Sequence, residues 1–204
     1  KTPKKAMGCV DFCDADAYCK WAGKRLCGRI GGGATLTADE SIDPKASEWI
    51  NACTQGGKTK LPYGDTFEDG RCLDSTLVPD GVANKEAAQA ALADPIKAAP
   101  NCHGTEPPFD KIYSMSVGMR EWDDSVVGDN ADSATSGARG GNYSWSSKAA
   151  VPLACAEPDG TQGRILFRYV STSLGFRCCG DLATRICPPL PLPGLPSGGC
   201  QARG

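Results

Sequence analysis

Twelve cysteines run through this chain of 204 residues: Cys9, Cys13, Cys19, Cys27, Cys53, Cys72, Cys102, Cys155, Cys178, Cys179, Cys187 and Cys200. The number is even and the spacing is broad. No Cys-x-x-Cys pair occurs, which removes the usual zinc and iron–sulfur patterns. Such a set predicts structural disulfides formed in an oxidising compartment, so all twelve are expected to bridge. Bridges between loops contribute about 2–4 kcal/mol each. Adjacent Cys178 and Cys179 cannot readily bridge each other, and each should reach elsewhere, with Cys187 and Cys200 as candidate partners. A secreted, periplasmic or cell-surface location follows.

The length suits one domain with its own core. Twenty-five glycines and 15 prolines favour a loop-rich fold over a helix bundle. The formal charge of −2 is balanced, with no basic face for a nucleic acid. No apolar run approaches a membrane span. The opening KTPKKAMGC has no apolar core of a signal peptide, so a mature, processed or partial chain is expected.

Residues 139–179 are the most patterned part. Arg139-Gly140-Gly141 opens the stretch and Gly175-Phe176-Arg177 closes it. Paired glycines suit close backbone approaches where no Cβ fits. RILFRYV, from Arg164 to Val170, has the β-branched and aromatic content of a strand. Upstream, VDFCDADAYCKWAGKRL (Val10 to Leu26), SEWINAC, LPYGDTF and REWDDS stand out in that order.

Together these five stretches resemble the formylglycine-generating enzyme (sulfatase-modifying factor) family, a variant of the C-type-lectin-like fold. The resemblance covers roughly Val10 to Cys179. It implies an α+β fold, loop-rich and disulfide-stapled, with a small antiparallel sheet and two or three helices. Residues 1–180 form the domain, and 181–204 a proline-rich extended tail. Family domains carry further strands and a helix before the equivalent of Val10, so the resemblance implies that this portion of the domain is missing.

The departures bear on chemistry. Family enzymes carry two redox-active cysteines after the Gly-Gly, five residues apart. Aligned from Gly140-Gly141, those positions are Trp145 and Ala150. Neither side chain supplies the thiolate that binds copper and activates oxygen. No catalytic residue and no copper are therefore expected. The family's Gly-Asn turn, which binds calcium through carbonyls and a Glu, is Val117-Gly118 here, followed by Glu121 and Trp122. The resemblance implies calcium at Glu121, Gly118 and Asp123, with Asp124 adding oxygens. The residues alone leave open whether Glu121 instead caps a turn or pairs with an arginine. Glu157-Pro158-Asp159 resembles the sugar-binding tripeptide of animal C-type lectins, but their downstream Trp-Asn-Asp is absent.

Taken in order, Asp11 or Asp14 caps a first helix whose buried face is Ala15, Tyr18, Trp21 and Ala22, with Gly23 ending it. Gly28 to Asp43 reads as a flexible surface insertion, without the Lys-Ser/Thr of a phosphate loop. Asp43-Pro44 starts a second helix with Trp49, Ile50 and Cys53 buried. Lys85 to Ala93 is a short Ala-rich helix. His103, the only histidine, is a surface residue, too isolated for a hydrolytic triad. Val126 to Ser136 is an exposed loop. The tail's CPPLPLPGLPSGGC favours extended polyproline II, stapled along its own domain or docked on a neighbour.

The expected function is a non-catalytic binding or structural module within a larger extracellular assembly of protein subunits. Two alternatives stand beside it: a copper-dependent oxidase, and a receptor for protein or carbohydrate. A receptor would use a surface formed by Tyr143, Trp145, Arg164 and Tyr169, since aromatics and arginines are the usual interface anchors.

Overall fold

The computed structural model describes residues 4–77, 91–125, 134–143, 155 and 164–180. Within them lie two sheets and a few short helices. Helix α1 spans Phe12–Trp21, and Asp11 caps it by accepting the amide of Asp14. Strand β1 is Arg25–Leu26, and α2 is Glu48–Cys53. A one-turn helix, Pro95–Ala98, follows. The remaining strands are β2 (Arg120–Trp122), β3 (Thr135–Arg139), β4 (Arg164–Leu166), β5 (Leu174–Phe176) and β6 (Cys178–Cys179).

The larger sheet has the order β4-β3-β2-β5. Its first three strands are antiparallel neighbours, while β5 joins β2 in parallel. The parallel pair sets Glu121 opposite Gly175 and Trp122 opposite Phe176. The smaller sheet pairs β1 with β6, Arg25 opposite Cys179 and Leu26 opposite Cys178. Helix α1 lies against this framework, burying Phe12, Ala15 and Cys19 beside Leu26, Trp122, Ala138 and Leu174. The Phe12 ring stacks on Phe167 at 4.2 Å and meets Trp122 edge-on at 5.9 Å. Trp122 is fully buried. Truncating such a side chain to alanine costs about 3–5 kcal/mol.

Four disulfides staple the ends to the middle: Cys19–Cys178, Cys27–Cys179, Cys53–Cys155 and Cys72–Cys102. Three of them span 102 to 159 residues of sequence. Adjacent side chains on a strand point to opposite faces, so Cys178 reaches α1 while Cys179 reaches the residue after β1. The partners of Cys178 and Cys179 are thus upstream, not Cys187 and Cys200 as the sequence suggested. The pairing of β6 with β1 brings them there. Cys9 and Cys13 were also expected to bridge. Both are exposed free thiols among the described residues.

Several other expectations change. The buried stripe of α1 is Phe12, Ala15 and Cys19, so Tyr18 and Trp21 face outward, 44% and 80% exposed. Cys19 wins the inward face because its bridge to Cys178 fixes the rotation of the helix. Helix α2 starts at Glu48 rather than at Pro44. The Ser47 hydroxyl caps it by accepting the Ile50 amide, and Asp43 instead closes a local turn onto Lys45. The Gly28–Asp43 insertion is tied down. Arg29 and Glu40 form a two-bond ion pair, Leu36 is buried, and the Leu36 amide donates to Asp124. Ser136 lies buried in β3 instead of an exposed loop, and the strand read over RILFRYV ends at Leu166. His103 is half-buried against Tyr113, at 4.9 Å between rings.

Candidate functional site

The sequence directs attention to the turn at Gly118 and to β2 beyond it. Gly118 has φ +128°, with Leu73 against it. Strand β2 then carries Glu121 toward α2 and the β5–β6 connection. There the carboxylate accepts two bonds from Arg177, Nε at 2.9 Å and Nη2 at 2.8 Å. Trp49 Nε1 donates to the same carboxylate at 2.9 Å. A third Arg177 bond reaches the carbonyl of Tyr113 at 3.1 Å. Burial disfavours the charge on Arg177, but Glu121 outweighs that and holds its pKa above the ordinary range.

Asp123, two residues on, is fully buried. It accepts Arg139 Nε at 2.5 Å and the Ser125 hydroxyl. Gly137 faces this cluster, where a Cβ would come within 2.5 Å of the Asp123 carboxylate. Asp124 points the other way, toward Thr35. Burial pushes its carboxyl up, with smaller upward effects from Asp123 and Asp16.

This chemistry does not suit calcium. The ion requires six to eight oxygens carrying net negative charge. Glu121 and Asp123 are each committed to a guanidinium, whose positive charge occupies the place a cation would take. A Cys27–Glu48–Cys179 grouping exists, but its sulfurs are joined to each other and Glu48 accepts from Arg25 and the Gly28 amide. Among the described residues, Cys155 is locked to Cys53 and the C-terminal cysteine pair to Cys19 and Cys27. Trp145, Ala150, Glu157, Pro158, Asp159, Cys187 and Cys200 lie outside the described residues.

The expected ligand surface is divided. Tyr169 lines an open groove of about 560 Å³ with Arg120, Ile165, Leu166 and Arg168. Tyr143 lines a separate, smaller depression of about 120 Å³ with Cys9, Leu92, Met119 and Thr172. Arg164 is on β4, next to the groove in sequence. Leu166, Tyr169 and Val170 are each about half exposed, at 52%, 50% and 53%. Arg120 is half-buried in the groove wall, donates to the Ala138 carbonyl at 3.3 Å, and has its pKa lowered by burial. Sequence reasoning missed Arg120, Leu166 and Arg168. Their only signal was the strand period around β2 and β4, and the pairing of both strands with β3 brings them together.

The two glycine signatures mark places where backbone approaches backbone. Gly140 has φ +75°, and a Cβ there would be 2.9 Å from the Met115 carbonyl oxygen. At Gly175 it would be 2.4 Å from the carbonyl oxygen of Met7. No helix among the described residues is long and apolar enough to cross a membrane. A search of curated proteins finds no match to the chain. The model of the sulfatase-modifying factor enzyme 1-like domain matches residues 1–182. With its short α+β framework, C-type-lectin-like fold and stapled ends, the chain belongs to that sulfatase-modifying factor domain family.

Proposed function

We propose that this chain is a non-catalytic, extracellular binding module of its family, acting as a subunit in a larger protein assembly. One observation carries this reading. The described cysteines of the C-terminal region, Cys155, Cys178 and Cys179, are each consumed in a disulfide to a distant element. The two positions aligned with the family's redox thiols are Trp145 and Ala150 by sequence. The free thiol of Cys13 is pushed up, first by burial and then by Asp11, Asp16 and Asp14, the opposite of an activated thiolate. Four disulfides accord with an extracellular location.

The groove beside β4 supplies the contact. Arg120, Arg168 and Tyr169 surround Ile165 and Leu166, the arginine–aromatic–aliphatic mixture of interface centres. Its chemistry suits a protein surface that offers carboxylates around an apolar centre.

Two measurements test this. Incubation with copper(I), oxygen and a cysteine-bearing sulfatase-motif peptide should leave the peptide unchanged, and conversion to the aldehyde overturns the non-catalytic reading. Crosslinking of the purified chain to its co-isolating subunits should map to residues 165–169. Arg168→Glu with Tyr169→Ala should weaken that association at least tenfold, and an unchanged affinity removes the groove from the interface.

A further inference from the structure

Helix α1 presents an outward stripe that nothing among the described residues covers. Cys13, Ala17 and Trp21 are exposed and recur four residues apart, so they stack along one helix face. Tyr18 flanks them, its ring 5.6 Å from Trp21 and 5.4 Å from Phe176. The stripe is therefore aromatic at its C-terminal end and carries a thiol at its N-terminal end. Trp21, at 80% exposure, is the most exposed of the large hydrophobic residues described.

The cysteine arithmetic singles out an occupant. Eight cysteines pair with one another, and Cys9 and Cys13 are free. Of the twelve in the chain, only Cys187 and Cys200 then remain, both in the segment after Gly180. That segment reads CPPLPLPGLPSGGC between its cysteines. Pro-rich polyproline II segments dock on aromatic-lined surfaces, their ordering cost already reduced by the proline rings.

The origin of the segment is in the right place. Cys178 is held 5.4 Å from Cys19, Cα to Cα, and Gly180 lies against Lys24, three residues past Trp21. Cys13 is six residues before Cys19 on the same helix, about 9 Å along its axis. The path from Cys178 to Cys13 is thus about 15 Å. The nine residues from Cys178 to Cys187 reach about 28 Å in polyproline II geometry. From Gly180, beside Lys24, the arm has ample length to run along the stripe.

We propose that the proline-rich arm straps across the outer face of α1, over Trp21 and Tyr18, and that Cys187 and Cys200 bridge Cys9 and Cys13. Each bridge forms one S–S bond by thiol–disulfide exchange. The two thiol protons and the electron pair pass to the disulfide of the oxidant, glutathione disulfide or a protein disulfide, which becomes two thiols. The arm then buries its leucines against the aromatic stripe and closes the ring of staples that joins the chain's ends.

Digestion on the amino side of aspartate separates Cys9, Cys13 and the arm from one another. It yields peptide 1–10 with Cys9, 11–13 with Cys13 and 181–204 with both arm cysteines. The full chain is folded in a glutathione redox buffer, alkylated and digested without reduction. The expected product is one three-peptide species of 1–10, 11–13 and 181–204, and either order of the two bridges supports the proposal. A 1–10/11–13 pair with an internally bridged 181–204, or alkylated Cys9 and Cys13, overturns it. A second readout follows Trp21. The Cys187→Ser/Cys200→Ser chain should show an acrylamide quenching constant at least twofold above that of the intact chain. The added Trp21→Phe substitution should remove that increase. Equal quenching with and without the bridges overturns the route over Trp21.

Discussion

The carboxylate of Glu121 takes both hydrogen bonds offered by the Arg177 guanidinium, 56 residues downstream, and the indole N–H of Trp49 besides. Three elements meet there: α2, β2 and the connection from β5 to β6. Glu121→Gln keeps the shape but leaves Arg177 without a compensating charge. Removing one partner of such a pair costs about 3 kcal/mol, the lower end for buried pairs because Arg177 is partly exposed. Chemical denaturation should show this as a lower midpoint at unchanged slope.

The same pairing argues the response to metal. With guanidinium groups already on Glu121 and Asp123, millimolar calcium should leave the thermal midpoint where chelator leaves it. A rise of several degrees would return calcium to this turn.

Gly137 is the most confined glycine near the sheet's ionic cluster. A Cβ there meets the Asp123 carboxylate at 2.5 Å and the Ser125 hydroxyl at 2.6 Å. Gly137→Ala should therefore disrupt the Asp123–Arg139 pair and cost about 3 kcal/mol or more. Gly180→Ala, whose Cβ would meet only the Lys24 side chain at 3.9 Å, is the control for loss of glycine alone. Unfolding of the two variants at equal denaturant would overturn the confinement argument.

Asp124 carries a raised pKa, chiefly from burial. Below its unfolded value the group is protonated in both states and costs nothing. As pH rises through the ordinary carboxylate range, the unfolded chain ionises first, and the fold loses stability until Asp124 also ionises. Asp124→Asn should therefore raise the melting temperature at pH 7 and have no effect near pH 3. An Asn variant that is less stable at pH 7 would contradict the assignment.

Glu40 shifts the other way, to about 2, first through its hydrogen bonds from Arg29 and then through those from Thr37. Its contribution is present above the ordinary carboxylate value and is lost as pH falls through about 2. Carboxyl NMR should place its midpoint near that value, and Arg29→Met should move it back up. The same variant should open the Gly28–Asp43 insertion to proteases.

The chain's own sequence settled the family, the disulfide-stapled α+β class and the two glycine signatures. These are local in origin. Gly140 and Gly175 mark places where a Cβ would strike a carbonyl, and such residues announce themselves without partners being known. Asp11 as a helix cap is legible for the same reason, because its bond to Asp14 spans three residues.

Tertiary structure decided what depended on distant partners. The outward turn of Tyr18 and Trp21 follows from Cys19 facing Cys178, a contact across 159 residues that helical spacing cannot reveal. The fate of Glu121, calcium ligand or arginine partner, depended on Arg177, which reaches β2 only through the parallel pairing of β5. The groove of Arg120, Leu166 and Arg168 exists because β3 separates β2 from β4 in the sheet. Periodicity determines which side chains share a face of one element. Only the packing of elements determines which faces meet, because that choice is made by long-range pairings whose partners carry no mark in the local sequence.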